Sequence, residues 1–278
     1  MNGFATDANA KKKRPVNFGA YERRCKMMNN ANEISRQTEL YGYIGESAGV
    51  SRFSAVINKI FKENSDDAMM IPMNIRQDDL FFTISNMRES HLNGAVISSE
   101  YTQNVVEILD EASQLVKRSG MCDILYKEGK KLRGDIFSVR VLSEQLKDLS
   151  ASKIAVIGIN PYAKAFSFLA CGFDVSYFHD NLEELKAFCE EAEIRDADIN
   201  RLVKGINVDL SSYDAVLDFS EMNSFDMVQM LPKHNFDMKN EKQFSPLKQR
   251  ANELNAAYVS YDKMIDKLCQ AGYRAIKK

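Results

Sequence analysis

Lys153-Ile-Ala-Val-Ile-Gly158-Ile-Asn-Pro-Tyr162-Ala-Lys-Ala-Phe-Ser-Phe-Leu-Ala170 is the stretch that decides the fold. Its apolar run from Ile154 to Ile157 enters a glycine without a polar break, which reads as a strand buried on both faces and closed by a tight turn. Pro161 suits a first helical position, where its missing N–H costs nothing, so a helix is predicted over Tyr162–Ala170. A second strand, Asp174–Phe178, ends at His179-Asp180. Strand, helix and strand form a βαβ unit, and the turn after its first strand is where a dinucleotide pyrophosphate would sit.

Upstream, the same alternation repeats in looser form. Tyr41–Ile44 reads as a short strand, followed by a glycine loop and a helix opening at Ser51, with Phe53, Val56, Ile57, Ile60 and Phe61 on one face. Strands are predicted at Ala68–Pro72, Gly94–Ile97 and Cys122–Tyr126, and helices at Asp78–Glu89, Thr102–Lys117 and Phe137–Leu149, with a lysine-rich turn at Lys127–Lys131. Downstream come strands at Tyr213–Phe219 and Tyr258–Ser260 and helices at Pro246–Asn255 and Asp262–Ile276. This alternation is the pattern of largely parallel sheets covered by helices.

The 278 residues suffice for two domains, and 45% hydrophobic with 27% charged residues is ordinary globular composition. A net charge of -2 argues against nucleic acid as the default partner. Residues 1–36 carry eight basic and three acidic side chains, including the Lys11–Arg14 cluster, and read as a loosely ordered polar extension or, alternatively, a basic arm for an acidic partner. No apolar stretch approaches the roughly 18 residues of a membrane span, and no apolar core of a signal peptide follows the basic cluster. Five scattered cysteines without CxxC spacing, with three histidines, suggest free thiols in a reducing cytoplasm and no metal site.

The order of pieces resembles the shikimate dehydrogenase family. Tyr41-Gly-Tyr-Ile-Gly is similar to its opening strand, and Ser51-Arg-Phe-Ser-Ala-Val-Ile-Asn58 to its Ser-Leu-Ser-Pro-Ala-Ile-His-Asn helix start. Gly120-Met-Cys-Asp-Ile-Leu125 is similar to Gly-Ala-Val-Asn-Thr-Leu, and Ser245-Pro-Leu through Met264-Ile265 to its Thr-Pro-Leu to Met-Leu stretch. The resemblance covers about Glu39 to the C-terminus. It implies an α/β fold: an N-terminal substrate domain over 39–148, a C-terminal Rossmann-like, doubly wound domain over 149–260, and a helix over 261–278 packing back toward the first. The extension is then 1–38.

Position by position, the resemblance implies a changed site. Of the two serines that bind substrate carboxylate in the family, the first matches Ser51 and the second falls on Phe53. The Asn-Val-Thr-Ile-Pro-His-Lys motif aligns with Val96 to Thr102, so Thr102 stands where the proton-transferring lysine would be. The Asn-Thr-Asp-Gly motif aligns with Ile136 to Val139, which puts Ser138 at the aspartate position, or Asp135 with a small gap; the late glutamine falls on Leu268. Ser51, Ser98, Thr102, Asp123 and Ser138 are the substrate-contact candidates. Tyr101 and Asp135 are the catalytic ones, although Glu100 and Tyr101 read more readily as a helix cap and a packing ring. Thr102 cannot accept a hydroxyl proton at neutral pH, which argues against ordinary shikimate oxidation.

Cofactor candidates are Gly158, Asn160, Asp180 and Ser220. Asn160 replaces the family loop's second glycine, so its side chain obstructs a pyrophosphate unless it turns away. Asp180 follows Gly158 by 22 residues, near the spacing of a ribose-binding acid, and favours NAD over NADP; helix capping is its alternative reading. A Rossmann-shaped unit that no longer grips any dinucleotide stays as open as NAD binding. His91 reads as surface, Cys122 as a core thiol, and Met69, Met70 and Met73 as core filler. The expected protein is thus a divergent oxidoreductase-like binder or converter of a small carboxylate in an interdomain cleft, cytoplasmic and without a membrane partner, with a homodimer left open. The alternative is a non-catalytic scaffold of the same shape.

Overall fold

The computed structural model describes residues 37–239 and 243–277, so all but Gln37 and Thr38 of the basic extension lies outside the described residues. The first sheet is built from β1 (Glu39–Gly45), β2 (Ala68–Asn74), β3 (Leu92–Ile97), β4 (Glu111–Ala112), β5 (Ile124–Glu128) and β6 (Lys131–Asp135), in the order β2-β1-β3-β5-β6-β4. β1 runs parallel to β2 and β3, whereas β5 is antiparallel to both β3 and β6. Among its helices, α1 (Phe53–Glu63) buries Phe53, Ile57, Ile60 and Phe61, the face its apolar spacing requires. α2 (Gln77–Asn86), α3 (Gln114–Ser119) and α4 (Ser138–Asp148) complete this part.

One expectation here is corrected, and the lysine-rich turn falls where it was expected. The helix predicted over Thr102–Lys117 is instead a 3-10 turn at Val106–Ile108, then β4, then α3. Asp110 breaks it: its carboxylate accepts the Leu132 N–H at 2.7 Å and Arg88 Nε at 3.0 Å, and Ser113 caps α3 by accepting from Val116 N. The lysine-rich segment is a β5–β6 hairpin turning at Gly129, whose φ of 58° is the left-handed region glycine tolerates.

The second sheet consists of β7 (Lys153–Ile157), β8 (Asp174–His179), β9 (Asp198–Arg201), β11 (Ala215–Asp218) and β13 (His234–Asp237), while β10 (Val208–Asp209) and β12 (Val228–Met230) pair separately. Its order, β13-β11-β7-β8-β9 with every pair parallel, is the doubly wound arrangement, and the strand order reverses between β7 and β11. α5 (Pro161–Leu169), α6 (Leu182–Glu191) and α7 (Pro246–Glu253) accompany it. The strand expected at Tyr258–Ser260 is only a bridge between Val259 and Phe236. Finally α8 (Ile265–Ile276) returns to the first sheet, where the Cys269 thiol lies 3.6 Å from the Phe53 carbonyl and the Tyr273 ring meets Phe61 edge-on. No helix among the described residues is long and apolar enough to cross a membrane.

Candidate functional site

A crevice of about 620 Å³ opens where the second sheet's strand order reverses, and Gly158, Asn160, His179, Asp180, Lys204 and Ser220 are among its lining residues. Gly158 adopts φ +96°, and a Cβ there would meet the Phe219 carbonyl at 2.7 Å, so only glycine lets the turn pass this close to the end of β11. The Asn160 side chain turns back onto its own helix: its Oδ1 accepts from Tyr162 N at 3.0 Å and Ala163 N at 3.1 Å. Two of the helix's free N–H donors are thereby occupied. Ser220 donates its hydroxyl to the buried Asp218 at 2.6 Å. Among the described residues, no group of three or more His, Cys, Asp or Glu could hold a metal ion.

Just past the C-terminal end of β8, Asp180 is exposed, with its carboxylate 3.1 Å from His179 Nδ1. The reading of Asp180 as a helix cap is corrected, because Asn181 occupies that position and accepts from Glu183 N and Glu184 N. The sequence reading missed two cations nearby: Lys204 lines the crevice, and Arg201 Nε donates to the Asp180 carbonyl at 3.4 Å. They arrive from β9 and the loop after it, and only the strand order places them beside β8.

The second part of the site lies between the sheets, where Asp123 at the start of β5 is almost wholly buried. Its Oδ1 accepts from Phe137 N at 2.8 Å, and its Oδ2 accepts from Ser138 N at 3.0 Å and from the Ser138 hydroxyl. A carboxylate from the strand therefore caps α4, and the serine at the helix start is its partner. Burial pushes Asp123 up to about 6, against the lowering effect of those donors. The Ser51 and Ser98 hydroxyls both interact with Tyr43, Ser98 also donates to Glu100 at 2.5 Å, and the buried Thr102 interacts with the Tyr162 phenol. Ser51 Oγ accepts from Phe53 N at 3.2 Å, but α1 starts one residue later than expected, with Arg52 at its N-cap.

Tyr43, Tyr162 and Tyr261 converge here, and burial raises all three phenols, Tyr162 and Tyr261 also through the charge of Asp123. No sequence signal marked them, since β1, the first turn of α5 and the turn before α8 supply one each. Tyr162 also stacks on Phe219, a crevice residue, with ring centroids 6.3 Å apart. Phe53, at the position where the resemblance puts the second serine, is fully buried and stacks on Tyr43 at 5.0 Å.

Ser51, Ser98, Thr102, Asp123 and Ser138 thus gather around these tyrosines, whereas the two catalytic candidates do not join them. The Tyr101 ring is buried and its hydroxyl donates to the Ile75 carbonyl at 2.7 Å, a packing role. Asp135 accepts from Ser113 Oγ at 2.7 Å and Ile136 N at 2.8 Å, and lines a separate groove with Tyr126 and Arg133. Its carboxylate turns away because β6 alternates its side chains and Ser113 holds it on the far side.

No family model matches the chain. Among curated proteins, it is 26% identical over 156 residues to the shikimate dehydrogenase (NADP(+)) of Dictyoglomus turgidum, an alignment covering 54% of this chain and 57% of that one. The chain thus spans little more than half the length of the first relative it matches. In fold it is similar to a shikimate dehydrogenase crystallised with NADP+, at a TM-score of 0.71 and 16% identity over 88% of this chain and 92% of the other. It is also similar to the ligand-free 5-ketofructose reductase of a Gluconobacter species, at a TM-score of 0.65 and 11% identity over 87% and 99%.

Proposed function

We propose that this chain, which belongs to the shikimate dehydrogenase family, binds NAD(H) in its crevice and a small carboxylate-bearing molecule between the sheets, and does not perform ordinary shikimate oxidation. The observation that carries the reading is the crevice itself: it sits at the switch point, and Gly158 holds a backbone approach that a side chain would block. When bound, a nicotinamide supplies a hydride donor or acceptor. Of this chain's residues, Gly158 and Asn160 would hold the pyrophosphate, Asp180 the ribose hydroxyls and Ser220 the inner wall. The carboxylate of Asp180 disfavours a 2′-phosphate, while Lys204 is the group that would oppose this preference. The Dictyoglomus turgidum relative is a shikimate dehydrogenase (NADP(+)) and the similar crystal structure holds NADP+, so the preference is a departure from those two.

Thr102 and Ser138 support a changed reaction, since neither hydroxyl takes a proton at neutral pH. That the same fold also serves a 5-ketofructose reductase agrees with a different substrate. The second reading, a non-catalytic binding protein, is favoured by the buried Tyr162 ring, which stacks on Phe219 at the crevice wall and reaches Thr102 with its hydroxyl, so that side chains pack the space between them. Titration with NADH and NADPH, followed by nicotinamide fluorescence, tests both readings, and the absence of tryptophan removes one background. NADH is expected to bind more tightly. Tighter NADPH binding overturns the Asp180 argument, and binding of neither leaves the scaffold reading.

A further inference from the structure

One ring nitrogen in the crevice sits between a donor and two acceptors. His179 ends β8 and lines the crevice beside Asp180. Its Nδ1 lies 3.1 Å from the Asn181 backbone nitrogen, 3.1 Å from the Asn181 carbonyl oxygen and 3.1 Å from Asp180 Oδ1. As a neutral imidazole the ring accepts from Asn181 N through the Nδ1 lone pair. As an imidazolium it carries a proton there instead, and the carboxylate and the carbonyl are already in place to accept it. Both charge states therefore find partners without movement of the chain. The backbone on either side is held independently of the ring: Leu202 N donates to the His179 carbonyl at 2.9 Å, and the Asn181 side chain caps α6 by accepting from Glu183 N and Glu184 N.

The charged groups around the ring come from several neighbouring elements. Asp180 follows it in the chain, Glu183 and Glu184 stand in the first turn of α6, and Arg201 is its register partner on β9. Lys204, from the loop after β9, and Glu221, from the loop after β11, also line the crevice. β7 ends in Ile157-Gly158-Ile159-Asn160 and adds no charge. Glu184 accepts from Asn181 Nδ2 at 2.6 Å, Glu183 pairs with Lys186 at 3.1 Å, and Arg201 Nε donates to the Asp180 carbonyl at 3.4 Å, so these three are engaged locally. Of these residue types, histidine alone ordinarily changes charge between about pH 5.5 and about pH 8.

We propose that His179 is a specificity-determining residue, which makes the crevice's discrimination between the two dinucleotides depend on pH. With the ring neutral, a 2′-phosphate meets the negative charge of Asp180. With the ring protonated, Asp180 is neutralised by its neighbour, and the repulsion fades. Preference for NAD(H) is thus strongest above neutrality and narrows in mild acid. This rests on the cofactor reading above and adds a regulator to it.

The test measures NAD+ and NADP+ affinity of the full chain by calorimetry at about pH 5.5 and about pH 8, in the wild type and in His179→Gln. The 2′-phosphate itself gains a proton near about pH 6, which acts on both proteins alike, so the difference between them isolates the histidine. The preference for NAD+ is expected to narrow about five-fold more in the wild type than in His179→Gln, the scale of one partly exposed ion pair. A second measurement holds even if that variant fails to fold. The chain has three histidines, so proton NMR of the ring Cε1–H signals through a pH titration resolves His179, with His91→Gln and His234→Gln assigning it by elimination. By linkage, saturating NADP+ is expected to raise the His179 midpoint above its value in saturating NAD+ by the same five-fold, about 0.7 pH. Equal narrowing in both proteins, or one midpoint under both dinucleotides, would overturn the proposal and leave the cofactor reading in place. Binding of neither dinucleotide at either pH would remove the cofactor reading and this proposal with it.

Discussion

Replacing Asp123 with alanine is expected to destabilise the protein by about 3 kcal/mol near neutral pH, and by more in mild acid. The substitution leaves Phe137 N, Ser138 N and the Ser138 hydroxyl without their buried acceptor. Leaving a buried donor unsatisfied costs roughly 1–3 kcal/mol, so three orphaned donors cost on the order of 6 kcal/mol. Against this stands the net penalty on the ionised carboxylate, in which those donors are already counted. It is raised from 3.8 to about 6, and at about 1.4 kcal/mol per unit its removal returns roughly 3 kcal/mol at neutral pH. The pH dependence follows from the direction of the shift. With the folded-state value raised, the native protein binds the extra proton between about 4 and 6, so wild-type stability falls as pH rises through that window and is flat above it. Acidifying from about pH 7.5 to about pH 5 therefore stabilises the wild type by about 1 kcal/mol through this group, a gain the alanine variant lacks. Asp218 is raised in the same way in both proteins, so it cancels in the difference. Urea unfolding followed by far-ultraviolet circular dichroism at the two pH values measures the gap. A gap below about 1 kcal/mol near neutrality, or one that narrows in acid, would refute the reasoning.

The crevice makes its own predictions. Gly158→Ala forces a side chain against the Phe219 carbonyl at a φ of +96°, so it should cost about 2 kcal/mol or more and abolish NADH binding; a variant that binds NADH normally would contradict the close-approach argument. Asn160→Ala removes a helix cap worth about 1 kcal/mol, and calorimetry should show NADH binding retained, because the freed Tyr162 and Ala163 N–H groups take over from the lost amide. Asp180→Asn should narrow the preference for NADH over NADPH in side-by-side titrations, and an unchanged ratio would point to Lys204 as the deciding group. With shikimate and NADP, turnover by the wild type should stay below about 1 per second, the low end for enzymes; absorbance of the reduced cofactor reads it directly.

The sequence by itself determined the βαβ unit, because four apolar residues ending at a glycine, with proline opening the next helix, admit few other structures. It also determined that the second sheet would be parallel and that Gly158, Asn160, Asp180 and Ser220 would share one crevice, since these residues sit near the C-terminal ends of strands or in the turns that follow them. It misread Thr102–Lys117, where a helical run of apolar residues is overridden by Asp110 bonding to a hairpin 22 residues away, a contact with no local signature. Tertiary structure alone decided the rest of the site. Tyr101 was assigned by its nearness in sequence to position 102, but the 3-10 turn at Ser99–Tyr101 and the Ile75 carbonyl took its hydroxyl elsewhere. Tyr43, Tyr162 and Tyr261 could not be foreseen, because they come from three separate elements that meet only when the second sheet, with its closing helix, packs against the first. Local pattern specifies how a segment buries its own apolar face. Which polar groups then face one another depends on strand order and on the return of the C-terminal helix, and those are set by the packing of the whole chain.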